Sequence, residues 1–281
     1  MEPRGLAVTL GFKNKRLKIM IKDLEKVNSI ITRSGNSFHC KVLKYLKDKG
    51  WAVLISPYYN DNISSKPREI DLIAEKSFSC IYDHFGRASG TVNVKLYIEC
   101  KHISQKTVFW FYDKNKDSAI DLVTQSTPMT KDNFYTKKHH YLEGEDRVAK
   151  LFADERSNSS ETEVFYKALN QSLNAMIYHR GKGTIINLPN SRKGFIKAIA
   201  DYPVIVCNSF DNLFRVEIDT DAEPIKINDN FQLEVNYAYM NSIGKNADEY
   251  FLIDIIKFEL LDKYLEKMES DAKLFNVFLS E

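Results

Sequence analysis

The stretch Val92-Asn93-Val94-Lys95-Leu96-Tyr97-Ile98-Glu99-Cys100-Lys101 decides how this chain is read. Successive side chains of a strand point to opposite sides. Val92, Val94, Leu96, Ile98 and Cys100 therefore share one face, and Asn93, Lys95, Tyr97, Glu99 and Lys101 share the other. Glu99 and Lys101 project together, while Ile98 and Cys100 face a core. In Glu69-Ile70-Asp71-Leu72-Ile73-Ala74, 28 residues upstream of Glu99, an acid likewise interrupts an apolar strand. If the two strands pair, an aspartate, a glutamate and a lysine converge. Two carboxylates about 4 Å apart repel by ~4 kcal/mol at an effective dielectric of about 20. A fold keeps such a pair where a cation or a function offsets the cost, and a divalent ion beside an ammonium suits phosphodiester hydrolysis. The competing reading takes Asp71 and Glu99 as polar ends of two buried strands.

The chain has 281 residues, 43% of them hydrophobic and 12% aromatic, which indicates a globular fold with a sizeable core. No apolar run reaches the ~20 residues that span a bilayer. Leu6 to Leu10 is too short for a secretory h-region and is followed by Lys13, Lys15, Arg16 and Lys18. Four cysteines without a Cys-x-x-Cys make neither a disulfide framework nor a zinc site. A cytoplasmic, non-membrane protein is the expectation. Net charge is only +2, but residues 1–50 hold 12 Lys/Arg against 4 Asp/Glu and residues 246–281 hold 4 against 9. The basic beginning attracts a polyanion or is simply a solvated face.

Outward from the opening stretch, the pattern predicts a basic arm and helix in residues 1–34, the helix running from Leu17 to Ile31. A second helix over 36–49 has Phe38, Val42, Tyr45 and Leu46 on one face and Gly50 at its stop. Trp51 to Tyr58 reads as a buried strand, and Phe78 to Tyr82 as an extra one. Thr107 to Tyr112 is β-like, and Asp113 to Glu161 is charged and turn-rich with a weak helix near Asp146 to Ala153. Residues 103–160 are read as a lid-like insertion. Helix 162–178 carries a broad apolar stripe. Strands follow at 202–207, 213–218, 231–239 and 250–254, then a helix over 256–269. The fold class is α/β with a central mixed sheet.

Gly35, Phe38, Val42, Leu46, Gly50-Trp51, Ile70-Asp71 and Glu99-Cys100-Lys101 stand in the order of a known family. In these residues the chain resembles the PD-(D/E)xK nuclease superfamily, the restriction-endonuclease-like fold, in its Mrr-type branch. The resemblance covers residues 35–101 well and 162–207 loosely. It departs at two places: His39 stands where the first helix often carries a glutamate, and Glu69-Ile70 replaces the motif's proline.

The resemblance implies one nuclease domain over 35–281, with Asp71, Glu99 and the main-chain carbonyl of Cys100 holding Mg²⁺, or Mn²⁺ in its place. Lys101 would act on the attacking water, and Gln171 would lie close to the active site or phosphate. The implied activity is Mg²⁺-dependent endonuclease cleavage of DNA, expected to be duplex, in a restriction or phage-defence setting. Nucleases of this fold often dimerise, with Val108 to Tyr112 as interface or as core. The alternatives are a catalytically weak or inactive nucleic-acid-binding module, which His39 supports, and an interaction protein with incidental acids. Glu69 is a further acid on the face of Asp71 or a solvated strand start. His139-His140 has no partner at metal-ligand spacing and reads as surface. The basic glycine tips Arg180-Gly181-Lys182-Gly183 and Arg192-Lys193-Gly194 read as solvated turns or phosphate contacts.

Overall fold

The computed structural model describes residues 23–31, 35–62, 64–82, 88–155, 164–180, 196–241 and 244–279. The arm before residue 23 lies outside them, as do both glycine tips apart from Arg180. Helix α1 covers 23–31 and α2 covers Asn36–Asp48. Phe38, Val42 and Leu46 form the buried stripe of α2. Gly35 at φ +70° and Gly50 at φ +79° bracket it, and both adopt left-handed backbone that glycine takes without a Cβ clash.

Next come β1 (Ala52–Ile55), a hairpin of β2 (Tyr58–Asn60) and β3 (Pro67–Glu69), β4 (Leu72–Tyr82) and β5 (Ala88–Lys101). They are followed by β6 (Thr107–Asp113), α3 (Lys116–Ser126), α4 (His140–Glu143), β7 (Arg147–Asp154), α5 (Val164–His179) and β8 (Ile196–Cys207). The remainder is β9 (Leu213–Glu217), β10 (Ile225–Lys226), β11 (Phe231–Met240), β12 (Asn246–Lys257) and α6 (Leu261–Leu279). Among the described residues, ten strands make one mixed sheet in the order β1-β4-β5-β8-β12-β11-β7-β6-β9-β10, while β2 and β3 pair with each other in a separate one. The expectation of an α/β fold around a mixed sheet holds at this level. Trp51 to Tyr58 is not one buried strand: β1 is the sheet edge and mostly half-buried, and the run breaks before β2. Phe78 to Tyr82 simply continues β4.

Both faces of the sheet are covered. Helices α2 and α6 lie on Leu96, Ile98, Tyr202 and Val204, with Leu261, Leu265, Met268, Ala272 and Phe275 as the stripe of α6. Helix α5 lies on the other face, over Ile73, Tyr97, Ile205 and Cys207. The polar side of β5 is therefore interior too, with Lys95 and Glu99 each no more than 1% exposed. One side chain seats α5. Ser172 of α5 inserts into the β5–β8 ladder: its hydroxyl donates to the Tyr97 carbonyl at 2.8 Å and accepts the Val204 N–H at 3.2 Å.

Residues 103–160 are not a lid. Strands β6 and β7 are interior members of the sheet, paired with each other and flanked by β9 and β11. The expected helix at 146–153 is strand β7, because β6 offers it an antiparallel partner from Asp113 back to Thr107. Phe109 and Phe111 are core, while Tyr112 is exposed.

His139 and His140 are interior, which overturns the surface reading. Both His140 nitrogens face carboxylates: Nδ1 meets Asp271 Oδ2, and Nε2 lies 3.1 Å from Asp254 Oδ2. The Tyr264 hydroxyl donates to the same Asp254 oxygen at 3.0 Å. His139 Nδ1 accepts the Tyr141 N–H, so its Nε2 carries the proton and lies 3.2 Å from the Tyr202 hydroxyl. Lys114 sits near Asp254, its ammonium donating to the Tyr141 carbonyl at 2.7 Å. Sequence spacing could not show this, since Asp254 and Asp271 come from β12 and α6.

This cluster ties α4 to α6 and sets a pH signature. Burial opposes the charge on His140, but Asp271 and Asp254 outweigh it and lift the imidazole to about 9. Burial holds His139 down at about 4. A raised folded value means that the His140 contribution is complete below pH ~6.5 and is lost as pH rises through about 9. The His139 contribution is complete above pH ~6.5 and is lost as pH falls toward about 4. Urea unfolding should show greatest stability near neutrality and a loss of the order of 3 kcal/mol between pH 6.5 and 9.5. His140→Gln should lower stability at pH 6.5 and flatten that alkaline limb.

Candidate active site

The site stands where β4 begins and β5 ends. Ladder pairing of the two strands stops at Leu72 with Ile98, so Asp71 and Glu99 are the next residues across. The Asp71 N–H donates to Glu99 Oε1 at 3.3 Å, and the Cys100 N–H donates to Asp71 Oδ2 at 2.7 Å. Lys101 Nζ donates to Glu99 Oε2 at 2.5 Å. The structure thus brings Asp71, Glu99, Cys100 and Lys101 together, and local backbone features fix them. Ser56, at φ +49°, gives its N–H to the Asp71 carbonyl at 2.9 Å. Left-handed backbone at a non-glycine residue is costly and persists where surroundings enforce it. Asn208 holds the end of β5: its N–H bonds the Lys101 carbonyl at 3.0 Å, and its side chain accepts the Ile103 N–H at 2.6 Å.

Burial dominates the electrostatics. Glu99 is fully buried, and that desolvation lifts its carboxyl to about 7, with Lys101 pulling it down and Asp71 pushing it up. Desolvation also disfavours the Lys101 ammonium, yet Glu99 and Asp71 together raise it above its ordinary value. Lys101 therefore stays charged, while Glu99 sits on the edge of ionisation at neutral pH. Burial, Asp71 and Glu99 push the Cys100 thiol far up, so Cys100 has its carbonyl to offer and not a thiolate. In a strand the N–H and C=O of one residue point to the same edge. The Cys100 carbonyl thus faces the Asp71 side, beyond the last β4 pair. Two carboxylates and a carbonyl make an all-oxygen donor set that fits Mg²⁺ or Mn²⁺ rather than a thiophilic ion.

The other candidates are placed differently. Gln171 of α5 donates from Nε2 to the Glu69 carbonyl at 3.0 Å, so it touches the chain two residues before Asp71 and not the carboxylates. Glu69 ends the β2–β3 hairpin, and its side chain bonds the Tyr58 hydroxyl. His39 belongs to α2, which packs on the opposite face of the sheet, and its Nε2 is buried with no partner among the described residues. It does not replace a missing acid beside Glu99.

His139, His140 and Asp271 offer ligand-type atoms within 4.8 Å of one another. Their protons argue against a metal. His139 Nδ1 is occupied by a backbone N–H, which leaves the proton on Nε2, and His140 carries protons toward two carboxylates. With Lys114 and protonated His140 facing Asp254 and Asp271, the cluster balances its own charge.

Several residues that build the site carried no signal in the sequence: Ser56, Ser172 and Asn208. Each acts through backbone geometry or through the proximity of a distant element.

In protein freed of divalent ions, the Glu99 carboxyl should titrate near pH 7, well above an ordinary glutamate. Difference infrared or carbon NMR against Glu99→Gln would read it. Lys101→Ala should move that titration to higher pH, because the ammonium is the main influence lowering it.

No protein-family model, no curated protein and no solved structure matches this chain.

Proposed function

We propose that the chain is a metal-dependent nuclease that hydrolyses DNA phosphodiester bonds at the Asp71–Glu99–Lys101 cluster. The observation that carries this reading is the convergence of two carboxylates and an ammonium at adjoining strand ends, with Cys100 Nα–H 2.7 Å from Asp71 and Lys101 Nζ 2.5 Å from Glu99. The order of elements supports it. Helix α2, strand β1, Ile70-Asp71 leading into β4 and the Glu-x-Lys strand β5 follow one another as in the resemblance, and α5 and then the parallel partner β8 come later.

Asp71, Glu99 and the Cys100 carbonyl would hold a divalent ion, which supplies Lewis-acid polarisation and a water of lowered pKa when bound. The remaining work falls to the chain. Lys101 keeps a positive charge beside Glu99 and offsets negative charge that builds on the phosphoryl oxygens. Its compact ammonium on a flexible stem suits that task. Gln171 is a positioning residue that steadies the backbone leading into Asp71. Hydrolysis forms a bond from water oxygen to phosphorus and breaks the bond to the 3′ oxygen, leaving 5′-phosphate and 3′-hydroxyl ends. A second reading is a nucleic-acid-binding module without turnover. The pairing of both Glu99 oxygens within the protein favours it, since those hydrogen bonds compete with an ion for the carboxylate.

The test is cleavage of plasmid, linear duplex, single-stranded DNA and RNA in Mg²⁺, Mn²⁺ or EDTA. Cutting should need the ion, and Glu99→Gln or Lys101→Ala should each slow it by about 10²-fold or more. Mg²⁺ should raise the melting temperature of the parent protein but not of Asp71→Asn. Alanine variants that cut as fast as the parent would refute the assignment. Salt-sensitive binding with no cutting under any condition would select the second reading.

A further inference from the structure

We propose that the cleft between the β2–β3 hairpin and α5 takes an unpaired nucleotide of the strand that is cut. The inference rests on the nuclease reading and narrows its substrate to single-stranded or locally unpaired DNA. The cleft has a volume of about 570 Å³, and its lining includes Tyr59, Asp61 and Arg68 from the hairpin side and Tyr166, Lys167 and Gln171 from α5. It leads toward the carboxylates. Gln171 bonds the Glu69 carbonyl just before Asp71, and Tyr59 lies in the field of Glu99.

Its walls are fixed before any ligand arrives. Asn62 Nδ2 donates to the Asn174 carbonyl at 3.2 Å, which ties the hairpin to α5. The Tyr237 hydroxyl donates to Asn170 Oδ1 at 2.9 Å, which anchors the same helix from β11. The free chemistry sits at the rim. Tyr166 is 36% exposed and stacks on no other ring among the described residues. Lys167 is exposed and makes no ion pair among them, and Arg68 reaches Asp61 only at 4.0 Å. An exposed aromatic face with two cations matches a base and its flanking phosphates. Size sets the class: pockets of about 300–1,000 Å³ enclose ligands of drug size, comparable to a nucleotide. A base inside a duplex is paired and stacked, so it cannot lay its face on Tyr166 without leaving the helix.

The test uses the full chain and an oligodeoxynucleotide carrying 2-aminopurine, offered single-stranded and as a blunt duplex, with EDTA present so that binding is read without cutting. The single strand should bind at least about tenfold more tightly and its fluorescence should be quenched. Tyr166→Ala should weaken that binding about tenfold and Tyr166→Phe should retain it. Lys167→Glu should weaken it and lower the salt dependence. Tyr166 is a surface residue of α5, and circular dichroism would check the fold of each variant. Equal affinity for the blunt duplex, or indifference to Tyr166→Ala, overturns the proposal even where Mg²⁺-dependent cutting persists. Tyr166-dependent binding of single strands without cutting upholds the cleft and removes the hydrolysis.

Discussion

The Ser172 hydroxyl bridges the Val204 N–H of β8 and the Tyr97 carbonyl of β5, and this bridge determines where α5 sits. A buried backbone acceptor without a partner costs about as much as a lost hydrogen bond. The helix is therefore pinned in rotation and in height by one small polar side chain. From that seat follow the burial of Lys95 and Glu99, the reach of Gln171 to Glu69, and the wall that α5 gives the cleft. A face of β5 that would otherwise be solvated becomes interior, and the acid at its end is perturbed for that reason.

Two ionic clusters lie on opposite faces of the sheet and solve the problem of buried charge in opposite ways. On the α6 side, Asp254 and Asp271 are met by protonated His140 and by Lys114, and the hydrogen bonds are filled from several elements. That arrangement is complete and ties pieces of chain together. On the α5 side, two carboxylates share one lysine, and burial drives the glutamate toward neutrality. Ionising both carboxyls there calls for more positive charge than the one lysine supplies, an imbalance of the kind found at functional sites.

The segment between β5 and α5 is built into the sheet and not laid over it. β7 joins β11 and β6 joins β9, so residues far apart in sequence form the half of the sheet beyond β12. The end of β5 is thus flanked by structure on both sides, and the Lys101 carbonyl is held by Asn208 as the chain leaves β8. The site is set on rigid strand ends, which hold side chains more narrowly than a mobile flap does.

The alternation from Val92 to Lys101 determined that β5 is a strand and that Glu99 and Lys101 share a side, because side-chain direction in an extended chain is a local property. The stripes Phe38-Val42-Leu46 and Phe165-Ala168-Leu169-Leu173 likewise located their helices. Local pattern failed where a partner decides the outcome. Residues 146–153 fit a weak helix until β6 pairs with the strand formed there, and His139-His140 looked like surface because the carboxylates that meet His140 arrive 114 and 131 residues later. Burial of the polar face of β5, the closure of Glu99 onto Asp71 and the cleft beside α5 were likewise decided only by the tertiary structure. Each depends on which element covers which, and that is a property of packing between distant segments rather than of residue order.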